Sequence, residues 1–135
     1  MKDTGFLRRI CALCLVTGLA ACAAPGDISR ANPDFFLVRA DRENGQLSGA
    51  FNPAGFTPGE VARLVGEICA GGGLASFGTG AGGELVSFAA TCAGGVADGA
   101  RVAEIERAGP GTVVIEILGS DGRGNIRTRR TVVAL

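Results

Sequence analysis

The chain has 135 residues, enough for one domain once a targeting segment is set aside. Hydrophobic residues make up 47% of it, so a buried core can form, and the net charge of zero lacks the basic excess of a nucleic-acid-binding protein. There is no His, no Tyr and only one lysine, at position 2, which excludes Ser-His nucleophile pairs and leaves carboxylates as the acid–base groups of the exported chain. We therefore expect no catalytic residue, no metal site and no cofactor.

The N-terminal segment is typical of a bacterial export signal. Basic residues stand at positions 2, 8 and 9, and residues 10–21 are apolar or small with no charge. Twelve residues at about 1.5 Å each are too short to cross the roughly 30 Å of bilayer hydrocarbon. Residues 1–21 are therefore expected to be a removed signal peptide, with an ordinary buried helix as the alternative.

The segment ends in Leu19-Ala20-Ala21-Cys22, which resembles the lipobox of bacterial lipoproteins: Leu, a small residue, Gly or Ala, then Cys. The resemblance covers about the first 22 residues of the precursor. It implies cleavage before Cys22, a diacylglyceryl group on the Cys22 thiol and acylation of the new N-terminus. Two or more acyl chains anchor a protein stably, at roughly 0.8 kcal/mol per buried methylene. Ala23 rather than Asp follows the cysteine, a pattern that in lipoproteins of diderm bacteria goes with transfer to the outer membrane.

The exported chain begins with a stretch that does not resemble a packed domain. Residues 22–34 contain two prolines and little apolar content, which predicts a lipid-anchored tether. Residues 35–135 are expected to form a single small globular domain. Within it, 35–40 and 46–51 are typical of short strands, and Asn44-Gly45 between them is a turn signal that predicts a hairpin.

The clearest element is a helix over residues 58–70. Thr57 can cap it, Pro58 suits the first helical position, and Glu60 completes a capping box. Apolar residues then recur at helical spacing, and a run of three glycines at 71–73 ends the pattern. The apolar stripe consists of Val61, Leu64, Val65, Ile68 and Cys69.

Strands are expected over the remainder of the chain, at 74–77, 85–92, 101–107, 112–118 and 125–134. The last three should form a meander with turns at 109–111 and 119–122. The glycines at 78–83 match G-x-G-x-x-G, but they lead into a strand where a dinucleotide site needs a helix, so a flexible loop is expected. Together these elements predict an α+β domain, one helix packed on a mostly antiparallel sheet; a small β-sandwich or a half-open barrel with a helix lid is the alternative.

Two cysteines besides Cys22 remain after export. Cys69 lies on the apolar stripe of the helix and Cys92 on the apolar face of the 85–92 strand. Thiol pairs tend to close in an oxidising compartment. We therefore predict a Cys69–Cys92 disulfide, whose loop closure is worth roughly 3 kcal/mol in the chain-entropy treatment.

Two groups of charged residues are candidates for function. Glu104 and Glu106 alternate on one strand face, about 6.7 Å apart at their α-carbons, and paired carboxylates can hydrolyse glycosides. The solvated face of a strand accounts for them equally well. Arg123, Arg127, Arg129 and Arg130 form a basic cluster near the C-terminus, and alternation along the 125–134 strand places Arg127 and Arg129 on one face and Arg130 on the other. The candidates to bind an anionic partner are Arg127, Arg129 and Arg130, or the cluster could simply protect an edge strand from chance pairing.

The sequence therefore predicts a membrane-anchored envelope lipoprotein with a non-catalytic structural or interaction role. Its expected partners are a membrane, reached through lipid on Cys22, and an envelope protein or anionic surface, with no nucleic acid. The expected location is the periplasmic face of the outer membrane. The alternatives are a carboxylate-dependent cell-wall hydrolase and a binding module for a small periplasmic ligand.

Overall fold

A computed structural model describes residues 25–97 and 99–135, and it shows one seven-stranded sheet with two short helices. The expectation of a mostly antiparallel sheet is confirmed, because every pairing between neighbouring strands is antiparallel. The elements in chain order are α1 Pro25–Ala31, β1 Phe35–Asp41, β2 Gln46–Phe51, α2 Pro58–Gly66, β3 Leu74–Gly82, β4 Leu85–Cys92, β5 Ala100–Gly109, β6 Thr112–Ser120 and β7 Ile126–Ala134.

The sheet order is β3-β4-β2-β1-β5-β6-β7, so β1 lies at its centre and β3 and β7 are its two edges. The predicted β1–β2 hairpin is present, and its turn closes at Gly45 with a positive φ of 65°. The predicted meander of the last three strands is also present. The two halves of the sheet join where β1 pairs with β5.

One face of the sheet, called the inner face below, carries the core. Phe36 of β1 lies at its centre and is fully buried. Its ring meets Phe56 edge-on at a centroid distance of 4.9 Å and Phe88 at 6.0 Å, the geometry in which a ring edge contacts a neighbouring π-face. Further along the sheet, Phe77 stacks on Phe88 at 6.0 Å. This aromatic cluster fills the space between the N-terminal half of the sheet and the elements that cover it.

Helix α2 covers part of the inner face and begins as the sequence predicts. The Thr57 hydroxyl accepts a hydrogen bond from the Glu60 N–H, and a Glu60 carboxylate oxygen accepts one from the Thr57 N–H at 2.8 Å. Its buried residues Val61, Leu64 and Val65 belong to the same apolar cluster as the inner face of the sheet. The capping box thus sets where the helix starts, and its apolar stripe sets which side packs.

The helix ends at Gly66, four residues before the predicted end. Residues 67–69 continue as tight turns, in which each backbone N–H donates to a carbonyl three residues earlier. Cys69 then forms an isolated antiparallel bridge with Val96, and the Ala97 N–H donates to Ile68 O. Pairing with a distant segment therefore replaces the last helical turn, which the apolar spacing alone did not reveal.

The predicted disulfide between Cys69 and Cys92 is present, with the α-carbons 5.4 Å apart. It joins the segment after α2 to the last residue of β4. Cys92 is 6% exposed and belongs to the core cluster, and Cys69 packs against that cluster. The bond therefore ties the cover of the inner face to the sheet beneath it.

Arg107 of β5 connects four parts of the fold. Its Nη2 donates to Gly55 O at 2.8 Å and to the Glu60 carboxylate at 3.4 Å, while its Nε lies 3.8 Å from the Asp34 carboxylate. The guanidinium also sits 4.8 Å from the centroid of the Phe56 ring. The side chain is only 20% exposed, so these contacts are partly shielded from water. No local sequence pattern distinguishes this arginine from the others.

The segment expected to be a tether contains helix α1, Pro25–Ala31. Proline suits a first helical position, where no N–H donor is needed. The helix contacts β1, β2 and β4, Ser29 is 2% exposed, and Ser29 O accepts a hydrogen bond from the Asn52 side chain. The chain between Cys22 and β1 is therefore not extended over its whole length.

The glycine-rich stretch expected to be a flexible loop is instead part of a strand, and that expectation is wrong. Residues up to Gly82 belong to β3 and pair with β4, and the turn between the two strands contains Gly83 at φ 71°. The ladder with β4 satisfies the backbone of this stretch, and the Ser87 hydroxyl adds a bond to Gly80 O. Glycine is tolerated there because β3 is an edge strand with little side-chain packing.

Replacing both half-cystines, Cys69→Ala with Cys92→Ala, should lower the free energy of unfolding by about 2–5 kcal/mol, because the cross-link restricts the unfolded chain. Urea unfolding of the full chain in neutral detergent, followed by circular dichroism, measures the change. Cys22→Ser is the control, since it also removes a cysteine but leaves the disulfide intact. Equal unfolding midpoints for the double alanine variant and this control would show that the disulfide does not stabilise the domain.

Glu60→Gln should make stability less dependent on acid pH. The Thr57 backbone N–H lowers the pKa of Glu60 below its ordinary 4.5, burial opposes this, and the Thr57 hydroxyl and Arg107 lower the pKa further. A depressed carboxylate pKa contributes stability that is present above pH 4.5 and lost as the pH falls through the folded-state pKa. A glutamine at position 60 can still accept the hydrogen bond from the Thr57 N–H, but it carries no charge.

We expect the free energy of unfolding of the wild type to exceed that of Glu60→Gln by about 1 kcal/mol at pH 7 and by much less at pH 3, as measured by urea unfolding. Glu67→Gln, an exposed glutamate just beyond the same helix, is the matched control. A difference between wild type and Glu60→Gln that stays constant from pH 7 to pH 3 would contradict the prediction.

Candidate functional site: a cleft lined by arginines

The described residues enclose a cleft of about 520 Å³ at one end of the sheet. It lies where the β1–β2 turn, the start of β5, the end of β6 and the start of β7 come together. Three arginines contribute to its wall: Arg42 from the β1–β2 turn and Arg127 and Arg129 from β7. The start of β5 supplies Ala100, preceded by Gly99. The antiparallel order β1-β5-β6-β7 is what brings these four chain segments to the same end.

Register explains why two of the three predicted arginines reach the cleft. Arg129 lies opposite Ile117 and Arg127 opposite Gly119, on the inner face. Ile117 is 6% exposed and is the last core residue of β6 at this end of the sheet. The arginines therefore lie next to the edge of the apolar core. Arg130 lies opposite Glu116 on the outer face and does not line the cleft. The basic cluster in the sequence is therefore divided between two faces of one strand.

Arg42 is held by a turn that an aspartate organises. One carboxylate oxygen of Asp41 accepts hydrogen bonds from the backbone N–H groups of Glu43 and Asn44, and the other accepts the Asn44 side-chain amide at 2.7 Å. The Asn44 amide, followed by its backbone N–H, lowers the pKa of Asp41. This carboxylate is therefore committed to the turn, as expected of Asx turns.

A second aspartate organises the turn between β6 and β7 in the same way. Asp121 accepts hydrogen bonds from the backbone N–H groups of Arg123 and Asn125 and from the Asn125 side-chain amide at 2.8 Å. The Asn125 amide, followed by the Arg123 N–H, lowers the pKa of Asp121, which keeps the carboxylate ionised at neutral pH. Asp121 lines the cleft, but its carboxylate oxygens accept hydrogen bonds from other residues of the turn.

The wall of the cleft also needs close approach of two backbones. The Ser120 N–H donates to Gly99 O at 3.0 Å, and Gly99 has a φ of 77°. A β-carbon on Gly119 would overlap the Gly99 carbonyl oxygen. A side chain at Gly119 would therefore push the start of β5 away from β6 and open the cleft wall.

The cleft carries excess positive charge. Within residues 25–97 and 99–135, no carboxylate oxygen lies within 4.0 Å of a guanidinium nitrogen of Arg42, Arg127 or Arg129. All three arginines are exposed. Counting only residues that the structure describes, three guanidiniums and the Asp121 carboxylate contribute a net charge of +2 to the lining. Such a surface favours an anionic group that can accept several N–H donors at once.

The two glutamates considered for hydrolysis lie elsewhere. Glu104 stands opposite Glu116 across the β5–β6 pair, and Glu106 opposite Val114, all on the outer face. The cleft opens on the inner face, so the structure does not bring these carboxylates to it. Among the described residues, no group of three or more Cys, Asp or Glu side chains is placed to hold a metal ion.

Cys22 and the apolar segment before it lie outside the described residues. Within the part of the chain that the structure covers, no helix is both long enough and apolar enough to cross a bilayer. Arg42 could not be identified from the sequence, because a single arginine beside a turn has no distinguishing pattern. No protein-family model, curated protein sequence or solved structure matches the chain.

Proposed function

We propose that the protein is a membrane-anchored lipoprotein of the bacterial cell envelope whose domain has a non-catalytic interaction role. The anchor is supported by the segment Leu19-Ala20-Ala21-Cys22 after a short apolar run. Lipid on Cys22 holds the domain at a membrane, and Ala23 favours the periplasmic face of the outer membrane. The interacting surface is the cleft formed by Arg42, Arg127 and Arg129.

The single observation that carries the interaction role is the convergence of three arginines that have no carboxylate partner among the described residues. Arginines that serve only to prevent chance pairing of an edge strand do not need to line the same cavity. Here two alternate positions on β7 and a third from a distant turn line one cavity. Guanidiniums bind carboxylates and phosphates in a bidentate manner, so the partner is anionic.

We assign the domain to the α+β class. The assignment rests on helix α2, whose buried residues share the core cluster with the inner face of an antiparallel sheet. Helix α1 is a second, shorter addition at the N-terminal end of β1. A single sheet does not support the alternative of a sandwich, which needs two packed sheets.

Metabolic labelling with an alkyne fatty acid tests the anchor. The wild-type chain should incorporate the label and partition with membranes, whereas Cys22→Ser should do neither, because the thiol is the site of lipid attachment. Cys69→Ser with Cys92→Ser is the control for loss of cysteines in general and should remain labelled. Equal labelling of wild type and Cys22→Ser would overturn the proposed anchor.

Photo-crosslinking in intact cells tests the interacting surface. A photoreactive amino acid at Ala97, a half-buried residue that lines the cleft, should give adducts in the wild-type background. Arg127→Glu with Arg129→Glu should reduce their yield at least tenfold, because reversed charge repels an anion. Arg123→Glu with Arg130→Glu changes the charge equally without altering a cleft-lining residue. Equal adduct yields from the two double variants would place the interface elsewhere.

A further inference from the structure

We propose that the cleft is a binding site for a phosphate group, in particular a phosphate monoester or a diphosphate. This inference rests on the proposed interaction role of the same cleft and specifies its ligand chemistry. The juxtaposition that carries it is the lining of one cavity of about 520 Å³ by Arg42 together with Arg127 and Arg129.

Charge favours phosphate over a single carboxylate. The described lining residues include three guanidiniums and one carboxylate, Asp121, with a net charge of +2. A phosphate monoester carries about −1.5 to −2 at pH 7, whereas a carboxylate carries −1. The monoester dianion therefore matches the net charge of these described side chains, whereas a lone carboxylate neutralises only half of it.

The donors also suit phosphate. Each guanidinium offers a planar set of N–H groups that can bind two oxygens, and three guanidiniums match the three terminal oxygens of a monoester. Ser120 and Thr128 border the same cavity, but strand alternation puts their side chains on the outer face, so the arginines supply the side-chain donors. Asp121 does not compete for the arginines at ion-pair distance, because its carboxylate oxygens accept hydrogen bonds from Arg123 N–H and Asn125.

Size and position describe the rest of the ligand. A cavity of about 520 Å³ falls in the range of about 300–1,000 Å³ usual for small-molecule sites, so it has room for more than the phosphate itself.

Helix α1 contacts the sheet beside the start of β1, whereas Arg42 follows the end of β1. Seven strand residues, about 20 Å, separate those ends. The cleft thus lies at the far end of β1 from the N-terminal segment, which favours a soluble phosphate compound over a lipid headgroup of the anchoring membrane.

Calorimetric titration tests the proposal and distinguishes the two sources of phosphate. The full chain carrying Cys22→Ser, purified in neutral detergent micelles, is titrated with pyrophosphate in one arm. In the other arm it is titrated with micelles containing phosphatidic acid, with phosphatidylcholine as the reference. We expect pyrophosphate to bind, and the triple variant Arg42→Gln, Arg127→Gln, Arg129→Gln to weaken that binding by about 100-fold, since several charge-assisted bonds are lost together.

The matched control is Arg63→Gln with Arg123→Gln and Arg130→Gln, which removes the same charge from exposed residues outside the cleft lining. Binding of either probe that the cleft variant loses and the control variant keeps supports a phosphate site, and the probe bound identifies its source. The proposal is overturned if neither probe binds, or if both triple variants weaken binding equally. These outcomes do not depend on lipid attachment or on crosslinks in cells, so failure of this proposal is distinct from failure of the proposed anchor or partner.

Discussion

The arrangement of the domain depends on one partly buried guanidinium. Arg107 sits on the inner face of β5, where the two halves of the sheet meet, and it bonds to Gly55 O and to the Glu60 carboxylate of the helix cap. A charge this shielded is costly unless several acceptors surround it. Asp34 and the Phe56 ring complete that environment. The start of α2, the loop before it and the entry to β1 are therefore oriented around a single side chain.

Local patterns were enough to predict most elements, and pairing with distant segments explains the rest. The capping box at Thr57 and Glu60 and the turn at Asn44-Gly45 depend on a few neighbouring residues, so the sequence identifies them directly. The end of α2 could not be found in this way, because Cys69 pairs with Val96. The glycines of β3 likewise form a strand only because β4 lies alongside.

The candidate site was predictable in part. Strand alternation placed Arg127 and Arg129 on one face and Arg130 on the other, as the register shows. The core ends at Ile117, and nothing local indicates that the inward-facing arginines line a cavity beyond it. Arg42 joins them only because β1 and β5 are neighbours, which is a property of the strand order. Convergence of charge from one turn and from a strand distant in the sequence is therefore the feature that required the structure.

The central pairing has a consequence for how the chain folds. β1 pairs Phe35 with Glu106, so its second neighbour is 71 positions further along the chain. Until β5 has been synthesised and has paired with β1, one edge of β1 is unpaired and the N-terminal strands form only half of the sheet. Closing so long a loop costs entropy before its contacts are gained, and pairings of this kind fold slowly. We therefore expect the join between the halves to slow folding more than the formation of either hairpin does.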